Sequence, residues 1–307
     1  MLSKVAERMY WFSRYIERAE NTARMVGVYD NLLFDLPRSI NISWFNLVVI
    51  NSSEDVFNAR YTVKDEKNVV KLLLADSTNP NSMSSSLLMA RENVRTSRDV
   101  LPLPLWELIN ELCMYVSEHI RDGINRTNRH GFLDNVIKGC QQINGLLADN
   151  MSKDAAWQFI RLGRNLERAD MASRILDAGI TAQLSSSDVE QDLDPSQIIW
   201  GNVLRSCDGA MNYRRTMRAT VEGTRVCQFL LHDKHFPRSI TFCADQIAAA
   251  VDLLPACEIE ELAKLKTLLA GEPGELDESF SDYLNDLQLS FANLHMQFGQ
   301  CWFALDR

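Results

Sequence analysis

Lysine is scarce in this chain: of 32 basic residues in 307, nine are Lys and 23 are Arg. Arg makes planar, forked contacts to carboxylates and phosphates that Lys does not reproduce, so the positions of the arginines are the first thing to trace. Long apolar runs are also missing. No stretch nears the roughly 18 uncharged apolar residues of a transmembrane helix. The N-terminal Lys4, Glu7, Arg8 and Arg14 do not read as a signal peptide. The seven cysteines (113, 140, 207, 227, 243, 257 and 301) are scattered and form no C-x-x-C. They are expected to be ordinary buried thiols in a reducing compartment. The net charge of −9 argues against a general binder of nucleic acid or anionic membrane, but leaves room for a local basic patch.

The familiar chemical motifs are absent as well. There is no P-loop, no G-x-G-x-x-G and no G-x-S-x-G. A ferritin-like di-iron site needs Glu-x-x-His, yet the residues three before the histidines are Val116, Thr127, Phe229, His232 and Ala292. His232 and His235 form a bare H-x-x-H beside Pro237. Asp282 and Asp286 fit an Asp-x-x-x-Asp on a helix, but Asp188 and Asp192 fall in an expected loop. Neither pattern makes a metal site, so no metal and no cofactor are expected.

What is present is helix. Apolar residues make up 46% of the chain, enough for a sizeable core. They recur at helical spacing between eight prolines, with no lasting strand-like alternation. Positions 105, 108, 109, 112 and 116, for example, fall on one face behind Pro102 and Pro104. Helices are expected near 3–34, 40–51, 64–75, 82–99, 104–122, 130–150, 153–184, 196–217, 220–231, 238–254, 258–270 and 275–304. The fold class is therefore all-α. The acidic run 185–194 (SSSDVEQDLD) is expected to be a long exposed loop.

The chain also repeats itself. RYIERAE at 14–20 matches RNLERAD at 164–170, Trp44 and Asn46 match Trp200 and Asn202, and PNSM at 80–83 matches PRSI at 237–240. The expected architecture is about twelve helices in two related halves, 1–150 and 151–307, forming a pseudo-twofold bundle. One continuous domain with a shared core and two separate beads are both compatible with the repeat.

On a helix of about 100° per residue, Arg14, Glu17, Arg18 and Asn21 share one face. Trp11, Tyr15, Ala19, Thr22 and Val26 form an apolar stripe elsewhere, and Glu20 precedes Arg24 at the favourable i,i+4 spacing. The second copy keeps Arg164, Glu167, Arg168, Asp170 and Arg174 in the corresponding places. Residues 91–98 (RENVRTSR) add Arg91, Arg95 and Arg98, and residues 205–218 add Arg205, Arg214, Arg215 and Arg218. These faces can be solvated salt-bridge faces, a buried structural network, or a site for an anionic ligand or a partner. The candidate binding residues are Arg14, Glu17, Arg18, Asn21, Arg24, Arg91, Arg95, Arg164, Glu167, Arg168 and Arg174.

ERAENTAR (17–24) and LGRNLERAD (162–170) resemble the Alpha-E family, as do NPNSMSSSLLMARENVRTSRD (79–99), WELIN (106–110) and FPRSITFC (236–243). Ser13 departs from the Gly usual in that family, whereas Gly163 keeps it. The resemblance covers essentially the whole chain. It implies a bacterial cytoplasmic protein working with an ATP-grasp-like carboxylate–amine ligase, and with a transglutaminase-like protein, in making or modifying peptides. It supplies no catalytic residue. Three functions are therefore weighed: an accessory binding module, an enzyme handling an acyl-phosphate or amine at Glu17 or Glu167, and a structural homo-oligomer. A carboxylate beside two arginines has a lowered pKa and makes a poor base near neutral pH, which disfavours the enzyme.

Overall fold

The structure, a computed structural model, describes residues 2–35, 42–186, 195–271 and 275–303. Most of the expected acidic loop at 185–194, including Asp188 and Asp192, lies outside the described residues; Ser185 and Ser186 end a helix. Among the described residues there are fourteen α-helices and no strand. They are α1 Ser3–Asp35, α2 Phe45–Ile50, α3 Glu54–Arg60, α4 Glu66–Leu74, α5 Met83–Arg95, α6 Pro104–Ile124 and α7 Arg129–Asn150. Then follow α8 Ala155–Ser186, α9 Pro195–Ser206, α10 Ala210–Met217, α11 Gly223–His232, α12 Ile240–Val251, α13 Glu260–Leu269 and α14 Glu278–Phe298. No described helix is long and apolar enough to cross a membrane.

Side chains explain where helices begin. Asp65, Ser82, Ser239 and Asp277 each accept a backbone N–H from the first turn of α4, α5, α12 and α14. Pro104 opens α6, where its missing N–H costs nothing. Two departures from the expected helices share one cause. The expected helix at 196–217 is split into α9 and α10, and the short α3 follows α2 instead of a loop. At both breaks a non-glycine residue turns left-handed: Ser52 with φ 47° and Asp208 with φ 54°. Neither left-handed position is itself a glycine, although Gly209 directly follows Asp208.

The chain divides into two compact units. The described part of the first is 2–30 and 44–164; that of the second is 31–35, 42–43, 165–186, 195–271 and 275–303. The dividing point lies between Arg164 and Asn165, inside α8. In the first unit α6 packs on α7, α5 and α4, and the expected stripe is buried at Leu105, Ile109, Leu112 and Val116. In the second unit α13 packs on α14, and α11 on α12, around Phe229, Ile247, Leu265, Leu287 and Phe291. The helices α3, α4, α5 and α6 begin 156 or 157 residues before α10, α11, α12 and α13.

The cysteines depart from expectation in one place. Five are buried thiols, but Cys257 and Cys301, 44 residues apart, form a disulfide. Cys257 precedes α13 and Cys301 sits in the π turn Gly299–Phe303 that follows α14. The antiparallel return of the helix pair brings together two residues whose separation gives no warning in sequence.

Candidate functional site

The two Glu-Arg helices are not solvated faces. On α1, Glu17 is 1% exposed and Asn21 4%, with Glu20, Thr22 and Ala23 buried beside them. On α8, Glu167 is 3% exposed. Arg14, Arg18, Arg24, Arg164, Arg168 and Arg174 are all half-buried. The i,i+4 pair recurs in both helices: Arg24 to Glu20 at 2.6 Å and Arg174 to Asp170 at 3.0 Å. Burial also acts on α7, packed in the same unit as α1. It pushes the Cys140 thiol well above its ordinary range, and the Glu20 and Glu17 carboxylates push it further. Burial likewise lifts Cys113 to about 11. Neither is a thiolate near neutral pH, so neither is an activated nucleophile.

The first unit gathers the separate sequence tracts. Arg18 of ERAENTAR donates to the Asn81 side chain at 2.8 Å, in the turn that leads into α5. Arg8 donates to the Thr96 carbonyl at 3.0 Å, just past the end of α5. Arg91 donates to Asn110 at 2.5 Å, which joins the 79–99 tract to WELIN on α6. Arg164 donates to Asn144 of α7 at 2.7 Å.

Aromatic rings hold these arginines from the other side. The Arg14 guanidinium lies 5.0 Å from the Trp11 ring, and Arg18 lies 5.9 Å from Tyr15; the two rings stack on each other at 5.4 Å. Arg164 lies 5.9 Å from Trp157. Trp106 carries two arginines, Arg98 at 3.9 Å and Arg91 at 5.6 Å. Arg91 and Arg98 are exposed, and among the described residues neither makes an ion pair. Beside them a hollow of about 310 Å³ is lined by Val94, Arg98, Leu101, Leu103, Trp106 and Glu107. Leu103 is 86% exposed there.

Eight of the predicted site residues thus belong to the first unit: Arg14, Glu17, Arg18, Asn21, Arg24, Arg91, Arg95 and Arg164. Glu167, Arg168 and Arg174 belong to the second. Arg95 forms only an exposed pair with Glu92 at 2.7 Å, the kind worth a few tenths of a kcal/mol. The sequence missed Trp106, Asn110, Trp11, Tyr15 and Trp157. The signal for Trp106 and Asn110 was their place in WELIN, but their contact with Arg91 is tertiary. No group of three or more His, Cys, Asp or Glu among the described residues is placed to hold a metal.

Comparison with known proteins places the chain. A family model, described as a predicted alpha-helical domain with a conserved ER motif, matches residues 1–303. The chain is similar, at 21% identity over 320 residues, to an uncharacterized protein of Mycobacterium bovis and to two of Mycobacterium tuberculosis. The alignment covers 95% of this chain but 35% of each relative, so the chain spans about a third of the length of the curated relatives it matches. No solved structure matches it. With the match running through nearly its whole length, the chain belongs to the Alpha-E family.

Proposed function

We propose that this chain is a binding module that docks a partner protein through the arginine and aromatic surface of its first unit. The observation that carries the proposal is Trp106 with two exposed guanidiniums on it, Arg91 and Arg98, neither of which makes an ion pair among the described residues. Arg and Trp dominate binding hot spots, because a stacked guanidinium is pre-ordered and a large ring buries much area at low entropy cost. The buried Glu17 and Glu167 support the same view, since they sit in the packing of long helices while the exposed arginines sit at the surface.

The partner is an ATP-grasp-type carboxylate–amine ligase that makes or modifies peptides, with a transglutaminase-like protein as a second associate; the family resemblance supplies both classes. A cytoplasmic location belongs to the same proposal. Trapping free thiols with an alkylating agent at the moment of cell lysis tests it: in a reducing compartment the Cys257–Cys301 bridge of the structure is expected to stand open, with both thiols modified. A bridge already closed at that moment would place the chain in an oxidising compartment instead.

Co-expression with the ligase followed by size exclusion tests the docking. The two proteins are expected to co-elute, and Trp106→Ala or the pair Arg91→Ala/Arg98→Ala is expected to weaken binding by tenfold or more, equivalent to about 1.4 kcal/mol. Co-elution unchanged in both variants would move the dock elsewhere. A ligase that never co-elutes and works equally well without this chain would end the proposal. A change in mass of the variants alone, with no partner present, would favour a homo-oligomer.

A further inference from the structure

The second unit contains a basic cleft that the docking surface of the first unit does not use. It lies where α10 ends and the α11–α12 turn passes, with a volume of about 620 Å³. Arg214, Arg215 and Arg218 line it, together with Asp233, His235 and Phe236. The three arginines are exposed, and among the described residues none of them makes an ion pair.

The cleft holds one carboxylate, and that group is already engaged. One oxygen of Asp233, Oδ1, accepts the backbone N–H groups of His235 at 2.8 Å and Phe236 at 2.7 Å. The same turn occurs 157 residues earlier, and there the charge is balanced internally. Asp76 Oδ1 accepts the Thr78 N–H at 2.9 Å. Asp76 Oδ2 meets Arg60 Nε at 2.9 Å and accepts the Tyr61 hydroxyl at 2.8 Å. Burial raises the Asp76 pKa, but the Thr78, Tyr61 and Arg60 donors outweigh it and hold the carboxyl below its ordinary value. In the second unit Arg218 stands where the first has Tyr61, and two more arginines join it without joining Asp233.

Arg218 is also held at φ 48°, ψ 37°, as the left-handed cap of α10. That conformation is unfavourable for a non-glycine residue, and it persists here at the residue that completes the arginine set. The charge balance indicates the occupant. Three guanidiniums less one carboxylate leave about two positive charges. The C-terminus of a helix offsets about half a charge. A phosphate ester carries about −1.5 to −2 near neutral pH, enough to neutralise the remainder, and a diphosphate carries more; a single carboxylate falls short. The volume lies in the roughly 300–1,000 Å³ range of small-molecule sites, and guanidinium forks match phosphoryl oxygens in pairs.

We propose that Arg214, Arg215 and Arg218 form a site for a phosphoryl or diphosphoryl group. The site is independent of the docking surface and stands or falls without it. Calorimetric titration of the full chain at low salt with inorganic pyrophosphate tests it, with ADP and succinate as separate arms. One saturable site for pyrophosphate is expected, with affinity falling at least tenfold in Arg214→Gln/Arg218→Gln. The exposed Arg225→Gln, whose wild-type side chain pairs with Glu222 at 3.3 Å, is expected to bind as the wild type does. Tighter binding of ADP than of pyrophosphate would identify a nucleotide as the source of the group, and equal binding a free diphosphate; both support the site. Three results would overturn it: no saturable pyrophosphate binding, undiminished binding in a double variant with wild-type circular dichroism, or succinate binding as tightly as pyrophosphate.

Discussion

Arg129→Ala is expected to destabilise the chain by about 3–5 kcal/mol, the cost of breaking a buried ion pair from one side. Arg129 is 1% exposed. Its Nε donates to the Gly123 carbonyl at 3.0 Å and one Nη to Ile124 at 3.0 Å. These are carbonyls of the last turn of α6, which lack helical partners. The remaining capacity goes to Asp30 at 2.7 Å and Glu66 at 2.8 Å, with the guanidinium 5.4 Å from the Trp44 ring. One side chain therefore ties the ends of α1, α4 and α6 together. Truncation leaves two carboxylates and two carbonyls short of donors. Arg129→Lys is expected to recover only part of the loss, since one ammonium cannot reach four acceptors in this spread. Urea denaturation of the three proteins measures the difference. An Arg129→Ala midpoint within experimental error of wild type would refute the account.

Gly163→Ala is the second large effect. A Cβ at Gly163 would fall onto the Tyr10 carbonyl oxygen and the Ser13 hydroxyl of α1. The Ser13 hydroxyl already donates to that carbonyl at 2.9 Å. A backbone oxygen cannot rotate away, so α8 must withdraw from α1 over its first turns. The cost is expected at the top of, or beyond, the roughly 1–3 kcal/mol of core overpacking. Gly139 provides the contrast. There a Cβ meets only the branched end of Leu112, with the nearest atom at 2.7 Å, and a flexible tip can move. Gly139→Ala is expected to cost clearly less in the same denaturation series, and equal costs would remove backbone contact as the explanation. The departure at Ser13 is accommodated for a related reason: its small hydroxyl is buried and bonded within its own helix.

The all-α class and most helix starts were legible because local signals carry them: Pro104, Ser82 and Ser239 each mark a helix by their own chemistry. The break at Ser52 was not legible, because a left-handed serine leaves no glycine in the sequence; the break at Asp208 was signalled by the Asp208-Gly209 dipeptide, which the apolar periodicity of 196–217 masked. The candidate residues were found as a charge pattern, which the structure sorts by depth. Glu17, Asn21 and Glu167 lie buried, while Arg91 and Arg95 lie at the surface. What periodicity could not provide was the second partner of each arginine. Trp106 and Asn110 come from another helix, and nothing in the spacing of RENVRTSR says which ring or amide Arg91 will meet. The arginines at the end of α10 were visible as a cluster, yet that none of them pairs with a carboxylate among the described residues is a property of the folded turn alone.

The disulfide between Cys257 and Cys301 changes the covalent topology of the C-terminal part of the chain. Residues 257 to 301 form a closed ring that contains all of α13 and α14. A single cut between those helices opens the ring into a line without separating its pieces. While the bridge is oxidised, the last helix therefore cannot diffuse away from the rest of the second unit, however the connection between α13 and α14 fares.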